Sequence, residues 1–142
     1  MGDESRSKLS GTAGAERALH VLVVEDNEAN VLVAEAHLSM HGHVVAVARH
    51  GRDGVEAFRE GRFDVVLMDI QMPVMDGYEA TRQIRGMSGS TPTPIIAVTA
   101  GKSPSTKQMA LEAGATAIVQ KPVDWRALLD LMSAEVERAR AG

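Results

Sequence analysis

Apolar residues along the chain fall into short runs separated by amphipathic stretches and turn residues. The first run, LHVLVV over residues 19–24, predicts a strand and ends on Glu25-Asp26-Asn27. Asn27 or Asn30 then caps a helix reaching about His41, with Val31, Ala34 and Leu38 on one face and Gly42 ending it. HVVAVA over 43–48 predicts a second strand, and residues 53–60 a helix with Val55, Ala57 and Phe58 inward, closed by Gly61. Val65-Val66-Leu67-Met68 is too short for a helix and rich in β-branched residues, so it reads as a strand buried on both faces. It stops at Asp69, and the turn residues Pro73 and Asp76-Gly77 lead into a helix ending at Arg85. A loop over 86–93 precedes a strand over 94–99. Ser103-Pro104 is a good helix start, and that helix ends at Gly114. A strand over 115–120 is left through Lys121-Pro122. Asp124 caps a last helix burying Leu128, Leu131, Met132 and Val136, with Leu129 at the edge of that face.

Strands alternating with helices imply right-handed crossovers and a parallel sheet. The expected fold is α/β: a single doubly wound, five-stranded parallel sheet of flavodoxin-like order 2-1-3-4-5 with five helices. In that order the carboxyl ends of strands one, three and four are neighbours, and such ends are where ligands bind in open parallel sheets. They carry Glu25 and Asp26, Asp69, and Thr99, with Lys121 leaving the fifth strand beside them.

Composition narrows the function. A chain of 142 residues is one domain with a real core. Residues 1–17 lack apolar periodicity and are rich in Ser, Gly and charge, so they read as a disordered arm or linker, and residues 18–140 as the folded domain. A net charge of −4 argues against nucleic acid or an anionic membrane as a direct partner. The absence of cysteine excludes disulfides, thiol catalysis and thiolate metal sites. No stretch approaches the ~20 apolar residues of a membrane helix, and no secretory leader stands at the start. The expectation is a cytoplasmic protein.

Taken singly, each rim residue has a bland explanation. Aspartates cap turns, threonines favour strands and lysines are common on surfaces. Their coincidence on one rim is another matter, because two like charges 4 Å apart repel by about 4 kcal/mol at a surface-like dielectric. A bound hard cation and a lysine are the cheapest compensation. An open, all-oxygen site suits Mg²⁺, which keeps several waters and bridges to phosphate oxygens. Asp69 then reads as a nucleophile toward phosphorus.

The motifs VVEDN at 23–27, LMDIQMPVMDG at 67–77, VTA at 98–100 and KP at 121–122 resemble the receiver domain of two-component response regulators. Their wording is similar to receivers of hybrid histidine kinases and phosphorelays. The resemblance implies that Asp69 accepts a phosphoryl group from a phosphohistidine on a histidine kinase or histidine phosphotransfer domain. It implies that Asp26, Asp69 and the Gln71 backbone carbonyl ligate Mg²⁺, with Glu25 acting mostly through bound water. Lys121 would pair with Asp69 and then with a phosphoryl oxygen. The Thr99 hydroxyl and the Ala100 amide would take the others, and the Lys121–Pro122 bond would be cis. Such a domain catalyses its own phosphorylation without being a conventional turnover enzyme, and the new charge switches partner binding.

Two other readings compete. One is a phosphohydrolase with an aspartyl nucleophile, but such enzymes of the dehalogenase-like class keep a second Asp two residues on, where Gln71 stands and can neither give nor take a proton. The other is an interaction module with a silent site, which the presence of all five rim residues opposes. Departures from the family pattern remain. Ile118 stands where many members carry a switch Tyr or Phe, Gly101 loosens the loop after Thr99, and Lys102 reads as solvated. The helix over 103–114 has little apolar content and should be marginal. His37 and His41 are four apart, a zinc-like spacing, but no third ligand follows at motif distance. None of the five histidines is expected at the rim. Trp125, Met72 and Met75 are expected to serve packing.

Overall fold

The computed structural model describes residues 18–72, 75–87, 92–101 and 103–141. The expected arm over 1–17, the turn at Pro73, the middle of the loop over 86–93 and Lys102 lie wholly or partly outside these residues. The elements are β1 (His20–Val24), α1 (Glu28–Met40), β2 (Val44–Ala48), α2 (Gly51–Glu60), β3 (Val65–Asp69), α3 (Gly77–Arg85), β4 (Ile95–Thr99), α4 (Pro104–Ala113), β5 (Ala117–Gln120) and α5 (Trp125–Ala141). The strands form one parallel sheet in the order β2-β1-β3-β4-β5.

Strand periodicity divides the interior in two. Leu22, Val24, Val66, Met68, Ile95 and Ala97 point to one face, where Val55 of α2, Ala80 and Ile84 of α3 and Ala110 of α4 cover them. Val21, Val23, Val65, Leu67 and Ile96 point to the other, under Ala34 and Leu38 of α1 and Leu128, Met132 and Val136 of α5. Every residue of β3 and β4 is buried, whereas the outer strands β2 and β5 are largely half-buried. The continuous apolar runs of the central strands follow from burial on both faces.

Four helices begin on side-chain caps. Asn27 Oδ1 accepts from the Asn30 amide at 2.9 Å, Asp76 Oδ1 from Glu79 at 2.9 Å, Ser103 Oγ from Thr106 at 3.3 Å and Asp124 Oδ1 from Ala127 at 3.1 Å. Several boundaries differ from expectation, each for a local reason. α2 starts at Gly51, two residues before Asp53, without a side-chain cap. His43 is not in β2: its amide bonds to Leu38 O at 3.1 Å, finishing α1, while its buried ring accepts from the Leu19 amide through Nδ1 at 3.1 Å. Burial, and then the neighbouring His41, hold the His43 ring below its ordinary pKa. β5 begins at Ala117 because the Ala115 amide still caps α4 through Ala110 O at 3.0 Å. In α5, Leu131 and Leu129 are only half-buried, and Glu135 is buried instead, paired with Arg138 at 3.3 Å. Among the described residues no helix is long and apolar enough to cross a membrane.

α4 is well capped but buries only Ala110 and Ala113. With so little apolar anchoring it should open locally. Its amides are expected to exchange at least roughly tenfold faster than those of β3. Protection equal to that of β3, measured by native-state hydrogen exchange, would count against a weakly held α4.

Candidate functional site

The alternation that buries Val65 and Leu67 on the α1/α5 side places Asp69 on that side too, at the last position of β3. Its residue is 3% exposed. The chain stays in the sheet one step further, with the Ile70 amide on Val98 O at 3.0 Å, and is then pinned by the Gly77 amide on Ile70 O at 3.0 Å. Asp69 Oδ1 accepts from the Gln71 amide at 3.2 Å and from Lys121 Nζ at 3.3 Å. Lys121 Nζ also stands 3.7 Å from Glu25 Oε1.

Glu25 leaves β1 with its amide on Ala48 O at 2.9 Å. Its carboxylate is fixed from the start of α1, accepting from the Asn27 amide at 3.2 Å and from Asn30 Nδ2 at 3.4 Å. Asp26 is exposed beside it. Glu25, Asp26 and Asp69 each offer an oxygen within 4.8 Å of the others. Among the described residues, three carboxylates therefore share one ammonium, which pairs with Glu25 and Asp69. Burial, and next the charge of Glu25, push the Asp69 carboxyl up to about 6, against the opposing pull of Lys121. An all-oxygen donor set with surplus negative charge fits a hard divalent cation such as Mg²⁺.

Thr99 ends β4 and is buried. Its carbonyl accepts from the Lys121 amide at 2.8 Å, tying the two strand ends together, and the Lys121–Pro122 bond is cis. The Thr99 hydroxyl accepts from the Gly101 amide at 2.9 Å and from Gln71 Nε2 at 3.0 Å. The Ala100 amide donates to Gln71 Oε1 at 3.1 Å. So the motifs place Glu25, Asp26, Asp69, Gln71, Thr99, Ala100 and Lys121 at the carboxyl ends of β1, β3, β4 and β5. Chemically, this is a buried carboxylate oxygen with an ammonium, a hydroxyl and an amide N–H nearby. Such a set can attack an electrophilic phosphorus and neutralise the charge that gathers there.

Beside it lies a cavity of about 300 Å³. Val23, Ala34, Leu67, Trp125 and Leu128 form its apolar wall, and Asp69 and Lys121 its polar end. Sequence reading did not foresee this cavity. Nor did it foresee the Gln71 side chain, since only that residue's carbonyl has a place in the family pattern. Trp125 packs, as expected, but its partner is the His37 ring, stacked at 5.0 Å and 5°. His41 Nδ1 lies 2.9 Å from His37 O and takes part in no metal cluster among the described residues. His50 departs from expectation: it is the N-cap of α2 and sits on the rim, beyond the outer strand β2. Ile118 is half-buried against the core, and Met72 and Met75 pack into the loop over it.

A family model described as the response regulator receiver domain matches residues 21–133. The chain is 44% identical over 113 residues to the two-component response regulator ORR41 of Oryza sativa, covering 77% of this chain and 87% of that one. It is 40% identical over 114 residues to the sensor kinase/phosphatase LuxQ of Vibrio vulnificus, covering 80% of this chain but 13% of the kinase. Among solved structures, the receiver domain of the sensor histidine kinase PA1611 of Pseudomonas aeruginosa, which has a magnesium ion in its active-site cleft, superposes with a TM-score of 0.80. The identity is 34%, and the match covers 85% of this chain and 99% of that one.

Proposed function

Because the chain belongs to the response regulator receiver family of two-component signalling, we propose that Asp69 is its phosphoacceptor. A carboxylate oxygen of Asp69 attacks the phosphorus of a phosphohistidine on a histidine kinase or histidine phosphotransfer domain. The P–N bond breaks, a P–O bond forms, and the imidazole leaves neutral, taking the bonding pair on one nitrogen and keeping the proton that its other ring nitrogen carried in the phosphohistidine. The observation that carries this reading is Asp69 itself, buried at a strand end, 3.3 Å from Lys121 and clustered with Glu25 and Asp26.

Each neighbour has one task. Lys121 holds the ground-state carboxylate and then follows the charge onto a phosphoryl oxygen. The Thr99 hydroxyl and Ala100 amide take the other oxygens. Glu25, Asp26, Asp69 and the Gln71 carbonyl would hold Mg²⁺, which supplies positive charge to the phosphoryl oxygens. Glu25 would act mainly through a bound water. The new charge of about −1.5 to −2 draws in Thr99 and its loop, biasing two conformations and so partner affinity. The receiver module is proposed to span residues 18–140, with a cytoplasmic setting that follows from its partners.

The test is intact-protein mass after incubation with a small phosphodonor and Mg²⁺. A single adduct of about 80 Da, one phosphoryl group, is expected, and none in Asp69→Asn. Sustained turnover of generic phosphate esters would point to a phosphohydrolase instead, and absence of any adduct to a silent interaction module.

A further inference from the structure

The two groups proposed to receive phosphoryl oxygens, the Thr99 hydroxyl and the Ala100 amide, are both engaged by one side chain. Gln71 Nε2 donates to Thr99 Oγ1 at 3.0 Å, and Gln71 Oε1 accepts from the Ala100 amide at 3.1 Å. The amide can only donate, so this contact fixes which way the carboxamide points. The residue is also held at its other end, its own amide donating to Asp69 Oδ1 at 3.2 Å. Residue 71 thus links the attacking carboxylate to the groups that would stabilise what it attacks.

We infer that the Gln71 side chain is a built-in competitor for the phosphoryl site, an internal ligand that holds Thr99 and Ala100 until a phosphoryl group displaces it. This rests on the phosphoacceptor reading of Asp69. The carboxamide offers an oxygen to Ala100, as a phosphoryl oxygen would. Its bond to the Ala100 amide must break before that donor can serve an anion on Asp69, whereas the Thr99 hydroxyl accepts from Gln71 and keeps its own proton free, so that contact holds the hydroxyl in place rather than occupying it. Gln71 is exposed, so the released side chain has open solvent to enter and water to satisfy it. Its role is to set how tightly the site takes a phosphoryl group and how firmly the loop after β4 is held at rest. The side chain itself bonds to no reacting atom; only the backbone amide of residue 71 touches Asp69.

The probe is beryllium fluoride with Mg²⁺, a stable mimic of a carboxylate-bound phosphoryl group. Binding is followed by the fluorescence of Trp125, which lines the cavity beside Asp69. Gln71→Ala should bind it roughly two- to twelvefold more tightly than the wild type, as loss of one competing hydrogen bond of ordinary net strength would give. The Ala100 amide of the free variant should also exchange faster with solvent, while the β3 amides stay as they are. Gln71→Glu, which can still accept from Ala100 but places a negative charge before an incoming anion, should bind more weakly than the wild type. Saturable wild-type binding that depends on Asp69, together with equal or weaker binding by Gln71→Ala, overturns the competitor and leaves the phosphoacceptor standing. Wild-type behaviour no different from Asp69→Asn overturns both.

Discussion

Asp69→Asn is expected to raise the stability of the metal-free protein at pH 7.5 by about 2 kcal/mol, a rise in melting temperature of about 5–10 °C for a chain of this size. Asp69 is 3% exposed, and its folded-state pKa is raised to about 6 by burial and by Glu25. Between the ordinary carboxylate value and 6 the folded protein therefore binds more protons than the unfolded chain. Stability from the protonated form is fully present below the unfolded pKa and is lost as pH rises through about 6. At pH 7.5 the wild type carries the whole cost of an ionised, crowded carboxylate. Asparagine has nearly the same shape and none of the charge. The gain should shrink toward zero as pH falls toward 4, where the wild-type side chain is neutral too. Thermal melts of both proteins in chelator from pH 4 to 8 check this. An Asn variant that melts at or below the wild type at pH 7.5, or a gain that does not vary with pH, would refute it. Function and stability oppose each other here: the charge that makes Asp69 a nucleophile is the charge the fold would rather lose.

How much of this was legible beforehand depends on whether a residue's task is set by its own strand or by its neighbours. The runs ending at Glu25, Asp69 and Thr99 announce strand ends by composition alone, and their alternation with helices gives the sheet order. Capping residues are equally local, so Asn27, Ser103 and Asp124 fall where expected, and Asp76, read only as a turn residue, caps α3. What periodicity misses is set across the sheet. The Gln71 side chain spans 28 positions to reach Thr99 and 29 to reach Ala100. Glu135 is buried on a helix face where Leu131, four positions away, looked the better candidate, because its carboxylate turns to Arg138. His43 reads as the first residue of a strand, yet its ring serves the Leu19 amide. Polar residues with non-local partners carry no local pattern to read.

Gly77 belongs to that second group, and its replacement is the other large effect expected. In sequence, Asp76-Gly77 looks like a turn whose glycine supplies backbone freedom. In the structure Gly77 is the first residue of α3 and its φ is not in the left-handed region, so its value is space. A Cβ there would collide with the Asp69 carbonyl oxygen and stand 2.7 Å from Ile70 Cα, both backbone atoms of the strand end that carries the carboxylate. Neither can swing aside as a flexible side chain would. Gly77→Ala must push α3 away from β3, weakening the Gly77–Ile70 hydrogen bond of 3.0 Å that pins the loop. The expected cost is about 2–4 kcal/mol, the upper range for overpacking against a rigid wall. Displacing Asp69 by even ~1 Å should also slow adduct formation on the order of a hundredfold. Gly86→Ala is the control. A Cβ on Gly86 meets only Gln83 O at 3.5 Å and Arg82 O at 3.6 Å, and its backbone is right-handed helical, so alanine there should be neutral or stabilising by up to about 1 kcal/mol. Denaturant unfolding of both variants, with adduct mass followed over time, separates the two. Should Gly77→Ala prove as mild as Gly86→Ala, the close approach of α3 to the strand end is not what positions Asp69.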